Sequence, residues 1–290
     1  MAADPMAHFW AYVQRRNYSP HTIDNYGRDL HLFFGLVDKD PCTISGREVT
    51  QFIERQRAGQ RSATTINRRL HALQHFFEYL ATERQTLGSN PVKPSHFLRR
   101  GRPLPKGLSP EQVRRLFTRI THPLDHALYL LILRCGLRVS EVARLTPSDL
   151  NWEQQSLRIT QGKGRKDRIV YVAVDALAAL RACLAIRPAG VPDEVLFWNQ
   201  KRPQRPLSSK GMQKKLERYA KAANIKASCH SLRHTFASNL LEEGAEVIAI
   251  KDLLGHASIQ SSERYAKLSN RRVKQVYQQT MRKVIAKTRV

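Results

Sequence analysis

Between Asn90 and Lys106 the chain carries Pro91, Pro94, Pro103 and Pro105 among Arg99, Arg100 and Arg102. Each proline removes a backbone donor and fixes φ, so no helix can run through this stretch and it is expected to lie extended. It divides the 290 residues into two parts, each long enough to bury its own core without disulfides or metals. The expected organisation is therefore a domain over 1–90, a basic proline-rich linker over 91–106 and a second domain over 107–290. A path along a DNA backbone and a solvated linker of no fixed path suit that basic segment equally.

The first part reads as a small helical bundle. Ser19-Pro20 supplies a cap and a first-turn proline, and Ile23, Tyr26, Leu30, Phe33 and Val37 follow at helical spacing. A second helix follows Ser45, with Val49, Phe52 and Ile53 inward. A third follows Ser62, with Ile66, Leu70, Leu73, Phe76, Phe77 and Leu80 inward. The opposite face of that third helix carries Thr64, Asn67, Arg68, His71 and Gln74, side chains suited to base edges and phosphates in a major groove. An ordinary solvated face is an equally good reading.

The second part is also mainly helical. Ser109-Pro110-Glu111-Gln112 combines a serine cap, a first-turn proline and a capping-box glutamine, and the apolar run from Leu128 to Leu133 marks a buried helix. Two short strands, Leu157 to Thr160 and Arg168 to Val172, flank Gly162-Lys163-Gly164-Arg165-Lys166-Asp167, which reads as a hairpin with a basic tip. Helices are expected near 175–187, 208–223, 230–243 and 247–254, the last two ending at Gly244 and Gly255, with a final helix over 270–288. The expected fold class is thus mainly α, with one small β-hairpin.

Lysine and arginine outnumber aspartate and glutamate by 49 to 24, a net charge of +25. That excess is far beyond what solubility needs, and the leading physical explanation is a polyanionic partner, nucleic acid before a membrane surface. Cys42, Cys135, Cys183 and Cys229 have no paired spacing, so they read as free thiols with neither zinc site nor disulfide framework. No signal-peptide pattern or membrane-span-length apolar run occurs, and a cytosolic protein is expected.

Four short stretches of the second part carry the candidate chemistry: Gly136-Leu137-Arg138-Val139-Ser140-Glu141, the Lys163 hairpin, His230-Ser231-Leu232-Arg233-His234, and Leu254-Gly255-His256 followed nine residues later by Tyr265. Each alone is a weak signal. In this order they resemble the catalytic pattern of the tyrosine recombinase (phage integrase-like) family, and within it the Xer-like and simple transposon-borne integrases. The resemblance implies a SAM-like core-binding domain followed by the catalytic domain. It further implies Arg138 and Arg233 as the phosphate clamp, Lys163 as the acid for the departing 5′ oxygen, His230 as the acceptor of the phenol proton, His256 as a hydrogen bond to the phosphate, and Tyr265 as nucleophile. Glu141 falls where an acidic residue often braces the site, and Arg165 and Lys166 would face DNA from the hairpin tip.

The residue types suit the chemistry without the family. Attack on a phosphodiester gathers negative charge on nonbridging oxygens, which two guanidiniums can hold with charge-assisted bonds. A phenolate is both a fair nucleophile and a fair leaving group, so the covalent step runs backwards as readily as forwards. No cofactor and no metal are called for, since the phosphotyrosine conserves the broken bond. The resemblance implies as partner double-stranded DNA with inverted half-sites, held by a homodimer on a site and a homotetramer in the synapse, or a heterotetramer with a paralogue, acting on the bacterial nucleoid. A type IB topoisomerase and a catalytically inactive accessory protein are the competing readings. Val273, Val276, Tyr277, Met281 and Val284 form an apolar stripe on the last helix, and the resemblance implies that it docks on a neighbouring subunit rather than on its own domain.

Overall fold

The structure is a computed structural model that describes residues 5–99, 107–160, 167–255 and 270–288. Lys163, Arg165, Lys166, His256 and Tyr265 lie outside the described residues. The chain divides into two compact units, Met1–Pro103 and Leu104–Val290.

The first unit holds four helices: α1 (Pro5–Arg15), α2 (Pro20–Phe34), α3 (Gly46–Ala58) and α4 (Ala63–Thr82). Three begin where a serine caps them. Ser19 accepts from the Thr22 amide at 3.1 Å, Ser45 and Glu48 form a reciprocal capping box, and Ser62 accepts from the Thr65 amide at 3.2 Å. The core is aromatic, with Phe33 edge-on to Phe52 and Phe9 edge-on to Phe76, both at 5.2 Å between ring centres. Helix α1 was not expected; no acid stands in its first turn, yet Phe9 and Val13 are buried one turn apart.

Much of the expected linker is fastened to this unit. Asn90 donates to the Gln74 carbonyl at 2.9 Å, and the Asn67 amide both donates to the Leu98 carbonyl and accepts from the Leu98 N–H, each at 2.9 Å. A side-chain amide that matches a backbone N–H and C=O together is a surrogate strand partner, and it holds the proline-bearing segment against α4.

In the second unit, α5 (Pro110–Phe117) leads to α6 (Pro123–Cys135), which is buried at nearly every position and is the axis of the unit. Around it stand α7 (Val139–Val142), α8 (Val174–Ala185), α9 (Ser209–Ala222), α10 (Cys229–Glu242), α11 (Val247–Leu254) and α12 (Asn270–Lys287). Strands β1 (Leu150–Asn151), β2 (Ser156–Ile159) and β3 (Arg168–Tyr171) form an antiparallel sheet in which Leu157 pairs with Val170. A second, two-stranded ribbon joins β4 (Trp198–Asn199) to β5 (Arg202–Pro206). Among the described residues no helix is long and apolar enough to cross a membrane.

The tail helix corrects one expectation. Tyr277, Met281 and Val284 are buried against Phe236, Leu240, Ile250 and Leu254 of their own unit. Polar contacts seat this helix as well as apolar ones. The Tyr277 hydroxyl donates to the Arg134 carbonyl at 2.9 Å, and the fully buried Arg134 guanidinium pairs with Asp175 at 2.8 Å and donates to the Thr288 hydroxyl and carbonyl at 2.8 and 3.1 Å.

Candidate active site

The site begins where α6 stops. Gly136 lies at φ +64°, and a Cβ there would fall 2.4 Å from the Phe236 ring, so only glycine makes this turn. Two residues on, Arg138 is the N-cap of α7 and Glu141 sits three residues into it. One Glu141 oxygen accepts from the Arg138 amide at 2.8 Å and the other from the Arg138 guanidinium at 2.7 Å. Glu141 thus caps the amide of Arg138 and also grips its side chain.

Two more arginines converge on the same carboxylate. Arg168, the first residue of β3, donates to both Glu141 oxygens at 2.9 Å, and Arg233 of α10 lies 3.9 Å away. The Glu141 side chain is 1% exposed, against 24%, 11% and 7% for Arg138, Arg168 and Arg233. Burial alone would raise the Glu141 pKa, but the hydrogen bonds from Arg168 and Arg138 prevail and hold it down at about 2. Burial, then the neighbouring Arg138 charge, pushes Arg233 down to about 10, which leaves it protonated at neutral pH. Three cations around one anion leave two positive charges in excess at a largely desolvated spot, a standing attraction for an anion such as a phosphodiester.

The same three arginines hold the end of α11. Arg168 Nε donates to the Leu253 carbonyl at 3.1 Å, Arg233 to that of Leu254 at 2.7 Å, and Arg138 to that of Gly255 at 3.1 Å. Arg233 also donates to the Gly136 carbonyl, tying the two glycine turns together. Gly255 lies at φ +61°, and a Cβ on it would come within 2.9 Å of Arg168 Cδ. The carbonyl end of the helix carries partial negative charge, so three guanidiniums suit it.

His230 stands exposed on α10, three residues before Arg233, with its Nε2 at 2.8 Å from Nε2 of His234. One ring must donate and the other accept. Burial first, then His230 and Arg233, lowers the His234 pKa. Of the residues singled out for catalysis, then, Arg138, Glu141 and Arg233 meet around one carboxylate, and His230 lies on the helix that carries Arg233. Arg168 was missed as a site residue, although a charged residue sharing the inward strand face of Val170 is a signal that could have found it.

The face of α4 divides. Thr64 and His71 are exposed, with His71 at 4.7 Å from the Phe97 ring, Gln74 is half-buried, and Arg68 is half-exposed while paired with Asp29. Asn67 is a correction: it is 4% exposed and both ends of its amide are engaged by Leu98, so it has no free edge to offer a base.

Residues 106–272 match the phage integrase family, and residues 6–84 match the phage integrase N-terminal SAM-like domain. The chain belongs to the phage integrase family of tyrosine recombinases. Tyrosine recombinase XerC of Thermodesulfovibrio yellowstonii is 34% identical over 273 residues, with 89% of each chain covered, and tyrosine recombinase XerA of Pyrococcus furiosus is 30% identical over 95% of this chain and 93% of its own. Among solved structures, the Tn1549 transposon integrase in complex with circular intermediate DNA matches with a TM-score of 0.72 at 20% identity, covering 92% of this chain and 97% of that one. A lambda integrase dimer bound to a COC′ core site matches at 0.71 and 19%, covering 88% and 94%. At those identities the structures show the shared fold. These likenesses do not favour the topoisomerase or the inactive accessory protein.

Proposed function

We propose that this recombinase cuts and rejoins duplex DNA at inverted half-sites through a 3′-phosphotyrosyl bond to Tyr265. The observation that carries the reading is the Glu141 cluster, where Arg138 and Arg233 stand side by side in excess over a single buried acid. A scissile phosphate would take Arg138 and Arg233 on its nonbridging oxygens, with His256 as a further donor. The Tyr265 phenol oxygen attacks phosphorus as its proton passes to His230. The bond from phosphorus to the 5′ oxygen breaks, and Lys163 protonates that oxygen. A second 5′ hydroxyl attacking the phosphotyrosine reverses the step and seals a new strand.

Thr64, Arg68, His71 and Gln74 on α4, with Arg165 and Lys166 at the hairpin tip, would contact the duplex. A homodimer on each site and a tetramer in the synapse, or a mixed tetramer with a paralogue, would exchange strands through a Holliday junction on the bacterial nucleoid. The test is a nicked half-site from which the cleaved fragment diffuses away. Wild-type protein is expected to accumulate covalent protein–DNA product and Tyr265→Phe none. Trapping by the variant, or none by wild type on DNA that it binds, would sink the reading.

A further inference from the structure

The three arginines around Glu141 are not equivalent. Arg138 divides its donors between the carboxylate and the Gly255 carbonyl, whereas Arg233 gives Nη1 and Nη2 to the carbonyls of Gly136 and Leu254 and lies 3.9 Å from the carboxylate. Arg168 has all three of its nitrogens engaged at once: Nη1 and Nη2 lie on the two Glu141 oxygens at 2.9 Å and Nε lies on the Leu253 carbonyl at 3.1 Å. It reaches inward from the first residue of β3, and its Cδ lies in the space that a side chain on Gly255 would need. A guanidinium so committed does not present itself to a ligand.

We propose that Arg168 is a positioning residue, which keeps Glu141 and the end of α11 in place while Arg138 and Arg233 turn their donors to the phosphate. The proposal rests on the clamp role given above to Arg138 and Arg233. When those two engage an anion, Glu141 and the carbonyls of Leu254 and Gly255 lose donors, and Arg168 is the group whose contacts need not change. Gly255 immediately precedes His256, so the same bond to Leu253 anchors the entry to the stretch that runs on to Tyr265. Lysine cannot substitute, because one ammonium on a flexible stem cannot span two carboxylate oxygens and a carbonyl in the fixed fork of a guanidinium.

The test compares wild type with Arg168→Lys and Arg168→Met. In the free protein, amide exchange at Leu253, Leu254 and Gly255 should quicken about tenfold or more in both variants, while the amides of α6 stay within about twofold. On the nicked half-site, affinity should remain within about threefold. Covalent trapping of bound DNA should slow about 100-fold in Arg168→Met and at least about tenfold in Arg168→Lys, the scale expected of a clamp displaced by an ångström. Wild-type exchange at the end of α11 in both variants overturns the proposal whether or not the wild type traps DNA. So does wild-type trapping by Arg168→Lys, which would show that charge alone suffices, or loss of protection that spreads equally through α6, which would make Arg168 a support of the fold alone. Failure of the wild type to trap DNA, with exchange still locally quickened, instead strikes the recombination chemistry and leaves the anchoring contact standing.

Discussion

Each unit of the molecule contains a buried acid beside arginines, and the two are built differently. In the first, Asp29 of α2 is paired with Arg68, whose side chain is 48% exposed, and lies 3.9 Å from Arg69, whose Nε is buried without a hydrogen-bond partner. In the second, Glu141 accepts four directed bonds, and the arginines that supply them pass their remaining donors to backbone carbonyls. The first sets a buried acid beside an arginine that is half in water. The second is a rigid lattice in which each member fixes the next. Gripping a polyanion needs only the former, and stabilising charge at one phosphorus atom needs the latter.

The contrast can be tested by taking each cluster apart. Glu141→Gln should have the largest effect, about 3–5 kcal/mol of stability at neutral pH, because it leaves three crowded guanidiniums without their counter-charge. Its pH dependence has a definite sign. The folded-state pKa lies below the ordinary value of 4.5, at about 2, so the stabilisation is whole above 4.5 and is lost as pH falls toward 2. Denaturant unfolding of both proteins across that range should show the gap closing in acid, and a constant gap would mean that packing rather than charge is lost.

Arg233→Lys comes next. Losing the fork should slow covalent trapping about 100 to 1,000-fold while half-site affinity changes far less, measured as the trapping rate at saturating protein. An equal loss in affinity would make this cluster an anchor like the first. The smallest effect belongs to Arg68→Ala, within about 1 kcal/mol of stability, since Arg68 is half in water and Arg69 stays beside Asp29. Its signature is the salt dependence of DNA binding, where the slope of log K against log salt should become shallower by about 0.9. An unchanged slope would place Arg68 off the phosphate backbone.

What the sequence disclosed follows from which interactions are local. Arg138 and Glu141 lie three residues apart, so a helix start alone brings them together, and the serine caps of α2, α3 and α4 are equally local. Arg168 joins the same acid from 27 residues away and Asn67 reaches Leu98 across 31. Strand alternation can mark Arg168 as inward-facing, but no periodicity within a strand or a helix names the distant partner. The ribbon of β4 and β5 was hidden for another reason: Pro203 and Pro206 argue against a strand, and they are tolerated because β5 is an exposed edge. The tail stripe was legible as a surface that must be covered. Which surface covers it depended on Arg134, a charge inside an apolar helix that by itself gave no hint of Thr288.

That last contact bears on how the tail can move. The last turn of any helix leaves carbonyls without an intrahelical donor, and the one belonging to Arg134 is served by the hydroxyl of Tyr277. Helix α6 is therefore completed by a segment more than a hundred residues further along the chain, two residues short of the glycine that delivers Arg138. A departing α12 uncaps that helix in a dry interior, at about 1–3 kcal/mol for the orphaned acceptor alone. Any structure that takes the place of the tail must bring a donor of its own to the Arg134 carbonyl.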